Sequence, residues 1–238
     1  MDAKIYVPII VAAVLVVAFI VLGFYLKKHP NSISVRFISR VAIFTAMATI
    51  LYVVPIFQFK LPFFPAFLEI HLDEIPSMIA GFAFGPWVGI ATVFLKSIIK
   101  LPFSSTMYVG ELSDFILSTT YVLITSLIFQ KKRNIAGASI GIAAGTVVQV
   151  LLAMVLNVYV LIPFYINLMG FTEEALLGMM QAAVPSISNV GWSYAFFAVL
   201  PFNLLKDAIV IAVTLVCYKL LARFLERFHQ EATREKGE

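Results

Sequence analysis

The chain has 238 residues, 61% of them hydrophobic and 13% charged, with a formal net charge of +4. A soluble domain carries about twice that charged share. This composition and a mean hydropathy of +0.99 therefore exclude a soluble fold and describe a polytopic helical membrane protein. The single Cys217 excludes an internal disulfide and a cysteine metal cluster, and the basic residues lie between apolar runs rather than along one face as a nucleic-acid-binding surface would need.

In chain order, Ile5 to Leu26 is free of charge. At about 1.5 Å per residue it reaches across a hydrocarbon core of about 30 Å. It is too long for the apolar core of a signal peptide, basic residues follow it rather than precede it, and no small-residue cleavage site follows. It is expected to be a retained span, forming residues 1–30. Lys27, Lys28, Arg36 and Arg40 come next, with Pro30 and Asn31 breaking the helix. Val41 to Phe59 is a second uncharged run, in which Ala42 and Ala46 form a small-residue face that allows another helix close approach. Lys60 to Leu72 (KLPFFPAFLEIHL) is expected to be an apolar, non-helical loop, because Pro62 and Pro65 stop helix formation. Such a loop suits interfacial anchoring or the lid of a pocket.

Ile75 to Leu95 is again uncharged but interrupted by Gly85-Pro86. Its length suits one span; the distribution of basic residues favours two. With two, the clusters before the second span, at Lys131-Lys132-Arg133 and from Lys219 onward all fall on one side. They hold 12 of the 17 Lys and Arg residues. Phe103 to Gly110 is a polar loop, Leu112 to Phe129 a span, and Ile135 to Phe164 a long apolar segment in which Gly137, Gly141 and Gly145 at spacing four form another close-packing face. In the loop from Asn167 to Trp192, Thr172 can cap a short helix with Glu173 and Glu174 in its first turn. Ser193 to Leu221 is the last span, and the charged tail, 223–238, is expected to be cytoplasmic and frayed. The expected fold class is an all-α membrane bundle: a six-helix core over 31–222 plus one extra N-terminal transmembrane helix. Its N-terminus is outside and its C-terminus is cytoplasmic.

Polar side chains concentrate between Glu69 and Phe115, where charge at membrane depth faces a partner, a cavity or a substrate path. Three His, at 29, 71 and 229, do not make a metal centre, and no P-loop or G-x-S-x-G is present. Asn203 and Lys206 share a face of the last helix at i and i+3. Asn157 lies at similar depth, and Glu69, Lys96 and Glu111 fall in the same half of the bundle. Amides and charges among Phe and Tyr suit a flat, polar-edged aromatic ligand. Binding or transport is therefore expected rather than catalysis, with a membrane enzyme or scaffold acting on a lipid through the Glu69–Asp73 cluster as the alternative.

The runs FLEIHLDEIPSMIAGFAFGPWVGIATVFLKSIIK, VGELSDF, LNVYVLIPFY and VLPFNLLKDAIV resemble the riboflavin-specific S component of energy-coupling factor (ECF) transporters, over residues 38 to 222. The resemblance implies a six-helix core that binds riboflavin, as transported ligand rather than cofactor, from outside. It implies ATP-driven uptake with a transmembrane coupling subunit and two cytosolic ATPases. It carries ligand contact to Glu69, Asn157, Asn203 and Lys206, and contact with the coupling subunit to Ala42 and Ala46. Two positions depart from the family pattern: Ser97 follows Lys96 where LKN is usual, and Asp114 stands where GELANF has Asn. The same fold with another vitamin is the neighbouring possibility.

Overall fold

The computed structural model describes residues 34–234. The expected span from Ile5 to Leu26 lies outside the described residues. Five described helices are long and apolar enough to cross a membrane, and Glu74–Phe84 is a shorter apolar sixth. The first, α1 (Val35–Val53), starts where Ser34 Oγ accepts from Phe37 N at 3.1 Å, satisfying one orphan donor of the first turn.

The Gly-Pro interruption divides the next apolar run into two helices, α2 (Glu74–Phe84) and α3 (Pro86–Lys100). Gly85 takes φ +99°, a conformation that a side chain disfavours, and Pro86 opens α3 with its ring preset for a first turn. The helices fold back on each other. A Cβ added at Gly89 would lie 2.9 Å from Ser77 O and 3.1 Å from Gly81 Cα, so the missing side chain allows the backbones to meet. The division of Ile75 to Leu95 into two helices therefore agrees with the structure.

The helix α4 (Val109–Lys131) is followed, after Asn134 as N-cap, by α5 (Ile135–Leu156). Their contact is made through the expected glycine face: a Cβ at Gly141 would meet Thr125 O at 2.8 Å and one at Gly145 would meet Thr125 Oγ1 at 2.6 Å. The rod continues through a π-helical turn, Asn157–Leu161, into α6 (Ile162–Asn167). Thr172 then caps the amphipathic α7 (Glu173–Ala183), accepting from Ala175 N at 3.2 Å as expected. The last rod comprises α8 (Trp192–Tyr194), a second π turn (Ala195–Val199) and α9 (Leu200–Arg234). The helix thus runs on through residues that the sequence suggested would fray.

The Pro- and Phe-rich loop is less irregular than expected. Its ends pair as a two-residue antiparallel ladder, β1 (Phe59–Lys60) with β2 (Glu69–Ile70), in the register Phe59 to Ile70 and Lys60 to Glu69. Between them Phe64 is buried against Phe202 at 5.3 Å between ring centroids, while Phe63 is exposed. The loop therefore covers the bundle with one aromatic and presents another outward. Ala42 and Ala46 are exposed on α1, beside exposed Ile43, Met47 and Ile50.

The hairpin geometry gives a test. Gly89→Ala forces a methyl against backbone atoms and should cost about 1–3 kcal/mol, read as a lower unfolding temperature in detergent. Gly178→Ala, where a Cβ meets nothing within 4 Å, should leave that temperature unchanged or slightly raised.

Candidate ligand-binding site

The site rests on a buried polar network. Glu74, in the first turn of α2, is fully buried, and its Oε1 accepts from three other helices: Lys206 Nζ on α9 at 2.9 Å, Ser118 Oγ on α4 at 3.2 Å and Gln149 Nε2 on α5 at 3.4 Å. Beside it Lys96 of α3, also fully buried, donates to Asp73 Oδ2, and to Asp114 Oδ2 on α4 at 3.2 Å. The Lys96 ammonium also lies 4.8 Å from the centroid of the Tyr52 ring, on α1. A buried ion needs a partner and further hydrogen bonds to offset its desolvation, and the shared oxygens supply both.

Above the network lies a cavity of about 470 Å³, within the range of small-molecule sites. Its apolar lining includes Phe67, Tyr165, Met169, Phe171 and Leu176, the last contributed by α7. Phe67 stands 6.1 Å from Tyr165 and 5.9 Å from Tyr194 between ring centroids, so the loop's inner aromatic joins the wall. Its polar lining includes Asn157, Asn203 and Lys206, and the carboxylates of Glu69, Glu111 and Asp114.

Both amides are oriented by their own helices. Asn157 Nδ2 donates to Ala153 O at 2.9 Å, and its Oδ1 accepts from the Tyr194 hydroxyl at 3.2 Å. Asn203 Nδ2 donates to Val199 O at 2.8 Å. Each stands at a π turn: Asn157 begins the first, and Val199 ends the second. Such turns re-aim side chains and recur at functional sites. No sequence pattern marked them.

Of the six residues proposed from sequence, the structure brings Glu69, Glu111, Asn157, Asn203 and Lys206 to the cavity wall. Lys96 lies outside that wall, beneath it, held by Asp73 and Asp114. Two wall residues are also committed to scaffolding. Glu111 Oε2 accepts from Ser104 at 2.7 Å and Thr106 at 2.9 Å, bracing a loop in which Met107 and Tyr108 adopt positive φ. Glu69 pairs with Lys60 at 2.9 Å across the strand ladder. Sequence reasoning left out Tyr52, His71, Lys100 and Tyr165, which also line the cavity. The regular alternation of helices past Gly85 could have placed Tyr52 and Lys100 at the same end as Lys206. Among the described residues, no group of three or more His, Cys, Asp or Glu could hold a metal ion.

These features accommodate a flat ligand with apolar faces and hydrogen-bonding edges. A family model described as "ECF transporter, substrate-specific component" matches residues 36–218. The riboflavin transporter RibU of Staphylococcus aureus (strain TCH60) is 26% identical over 188 residues, covering 79% of this chain and 93% of that protein. RibU of Lactococcus lactis subsp. cremoris (strain NZ9000) is 30% identical over 185 residues, covering 73% and 86%. The riboflavin transporter FmnP of Bacillus subtilis (strain 168) is 24% identical over 194 residues, covering 80% and 95%. A solved structure described as the S component of a bacterial ECF transporter has a TM-score of 0.62 at 25% identity, covering 80% of this chain and 97% of that one.

Two predictions follow from the electrostatics. Lys206→Met strands the buried Glu74 carboxylate, and breaking a buried pair costs about 3–5 kcal/mol. The ligand-free protein should melt earlier, and adding Glu74→Gln should recover most of that loss. His71, in the loop before α2, is lowered from 6.5 to about 4, chiefly by burial, against the opposing pull of Asp114 and Glu69. Between those values the unfolded chain takes up a proton that the folded protein lacks. Stability should therefore fall as pH drops from 6.5 toward about 4. Melting curves across this window should slope less for His71→Gln.

Proposed function

The chain belongs to the substrate-specific components of ECF transporters, a transport component and not an enzyme, and we propose that the substrate it binds is riboflavin. The observation that carries this reading is the cavity itself. The amides of Asn157 and Asn203 and the ammonium of Lys206 line one space together with the aromatic and aliphatic side chains of Phe67, Tyr165 and Leu176. An isoalloxazine ring has apolar faces and a rim of carbonyls, ring nitrogens and one N–H, which such a site can sandwich and hydrogen-bond. The names of the three relatives support the same substrate. Asn203 and Lys206 are assigned to the ring's polar edge, Asn157 to a neighbouring rim position, and Glu69 and Glu111 to the mouth. Lys96 acts from beneath by holding Asp114 in the wall.

The ligand enters from outside, and the cavity end of the bundle faces outward. Charge supports this orientation: Lys131, Lys132 and Arg133 lie at the far end of α4, and the basic end of α9 points the same way. The protein acts in the cell membrane with a transmembrane coupling subunit and two cytosolic ATPases that power uptake. The exposed face of α1 around Ala42 and Ala46 is the docking surface for the coupling subunit, since small residues let helices approach closely. The alternative of an enzyme acting on a lipid falls with the family assignment.

Riboflavin fluorescence quenching on titration into the purified protein tests the substrate directly. Asn203→Ala should weaken binding about 5- to 150-fold, as expected for an unpaired polar group costing about 1–3 kcal/mol, with the melting temperature little changed. Unaltered affinity in that variant would remove Asn203 from the site, and absence of quenching by the wild type would remove riboflavin. Replacing Ala42 and Ala46 together by Leu should preserve riboflavin binding but abolish ATP-driven uptake in the reconstituted complex. If binding is lost instead, the face is internal packing.

A further inference from the structure

Next to Lys206 on α9 stands Asp207, whose place in the bundle the ligand site does not explain. It is fully buried, and among the described residues neither carboxylate oxygen makes a well-formed hydrogen bond. Its neighbours include Thr146 on α5 and Tyr121 on α4 as well as Lys206 on its own helix. Those two hydroxyls lie 3.2 Å apart. The second oxygen of Glu74 and the amide oxygen of Gln149 are likewise buried without a partner. The neighbourhood therefore holds an excess of hydrogen-bond acceptors. Among the described residues, the charged and titratable groups around Asp207 are Lys206 on its own helix, Glu74 on α2 and Tyr121 on α4, while α5 offers the uncharged Thr146 and Gln149. Lys206 is the one cation among them, and its ammonium already serves Glu74.

An isolated carboxylate in such a place is costly, and a buried group of this kind sheds its charge. A proton on Asp207 removes one negative charge and turns one acceptor into a donor. It also leaves Lys206 facing a single carboxylate. Ionised, Asp207 would compete with Glu74 for the ammonium that lines the cavity.

We propose that Asp207 is a proton-binding site, neutral in the resting protein, and that its proton keeps Lys206 fixed on Glu74 and available to the ligand. Asp207 is a positioning residue: it acts through Lys206 and does not touch the substrate. The coupling to ligand rests on the riboflavin reading, whereas the protonation state does not.

Infrared difference spectroscopy of the ligand-free protein at neutral pH tests the protonation alone. The wild type should show a protonated-carboxyl C=O band that shifts in D2O and is missing from Asp207→Asn. If the two spectra match in that region, the proposal fails, whatever the protein binds. Riboflavin titration tests the coupling. Asp207→Asn, which keeps a neutral donor, should bind within about threefold of wild type, whereas Asp207→Leu, with no donor, should bind about tenfold or more weakly. Equal affinity in the two variants would overturn the positioning role. If exchanging sodium for choline changes wild-type affinity or the carboxyl band, Asp207 is a sodium ligand and the proton assignment is wrong. If Asp207→Leu does not fold, the band and the affinity of Asp207→Asn still decide: loss of binding by a well-folded Asn variant would contradict the proposal.

Discussion

The structure depends on the burial of Glu74. One carboxylate oxygen at the start of a short helix receives hydrogen bonds from α4, α5 and α9. Helix packing in a membrane gains little from the hydrophobic effect, because lipid tails are as apolar as the helix faces. Van der Waals fit can be satisfied in several registers. A buried charge with a defined set of donors is satisfied in few, since a shifted helix would leave it unpaired at a cost of several kcal/mol. Glu74 therefore fixes the relative register of four helices, and Lys96 ties α3 to the same layer through Asp73 and Asp114.

The position of this network gives it a second consequence. Lys206 and Asp114 belong to it and also line the cavity. A ligand that engages Lys206 draws on the same charge that holds α2 to α9. Binding and helix packing are thus linked through one ammonium group, a short path by which an occupied site could bias the arrangement of the bundle. The exposed face of α1 belongs to a different surface. Yet the ammonium groups of Lys96 and Lys100 lie 4.8 and 5.0 Å from the ring centroid of Tyr52, near the end of α1, so that helix also touches the network.

The glycine positions do complementary work. Gly85 supplies a turn that a side chain would strain, while Gly89, Gly141 and Gly145 bring helix backbones together where a methyl group would collide. Close approach of these helices is what allows the short α2 to sit deep enough for Glu74 to reach α9. The cavity remains above because the loop from β1 to β2 and the amphipathic α7 roof it with Phe67 and Leu176 rather than filling it.

The sequence by itself determined the parts governed by local or one-dimensional rules. Apolar run length marked the spans, Gly85-Pro86 with the basic clusters marked the hairpin, glycines at spacing four marked a close-packing face on α5, and Thr172 marked the start of α7. The i and i+3 spacing of Asn203 and Lys206 likewise marked a shared face. Only the tertiary structure decided which charges meet. Lys96 and Asp73 are 23 residues apart and Glu74 and Lys206 are 132 apart, and no local pattern says that one lysine lies beneath the wall while the other lies in it. The π turns that aim the two amides, the partnering of Glu111 with its own loop and the isolation of Asp207 were equally hidden. Each depends on the packing of helices that are distant in sequence, because hydrogen bonding and desolvation are settled by neighbours in space.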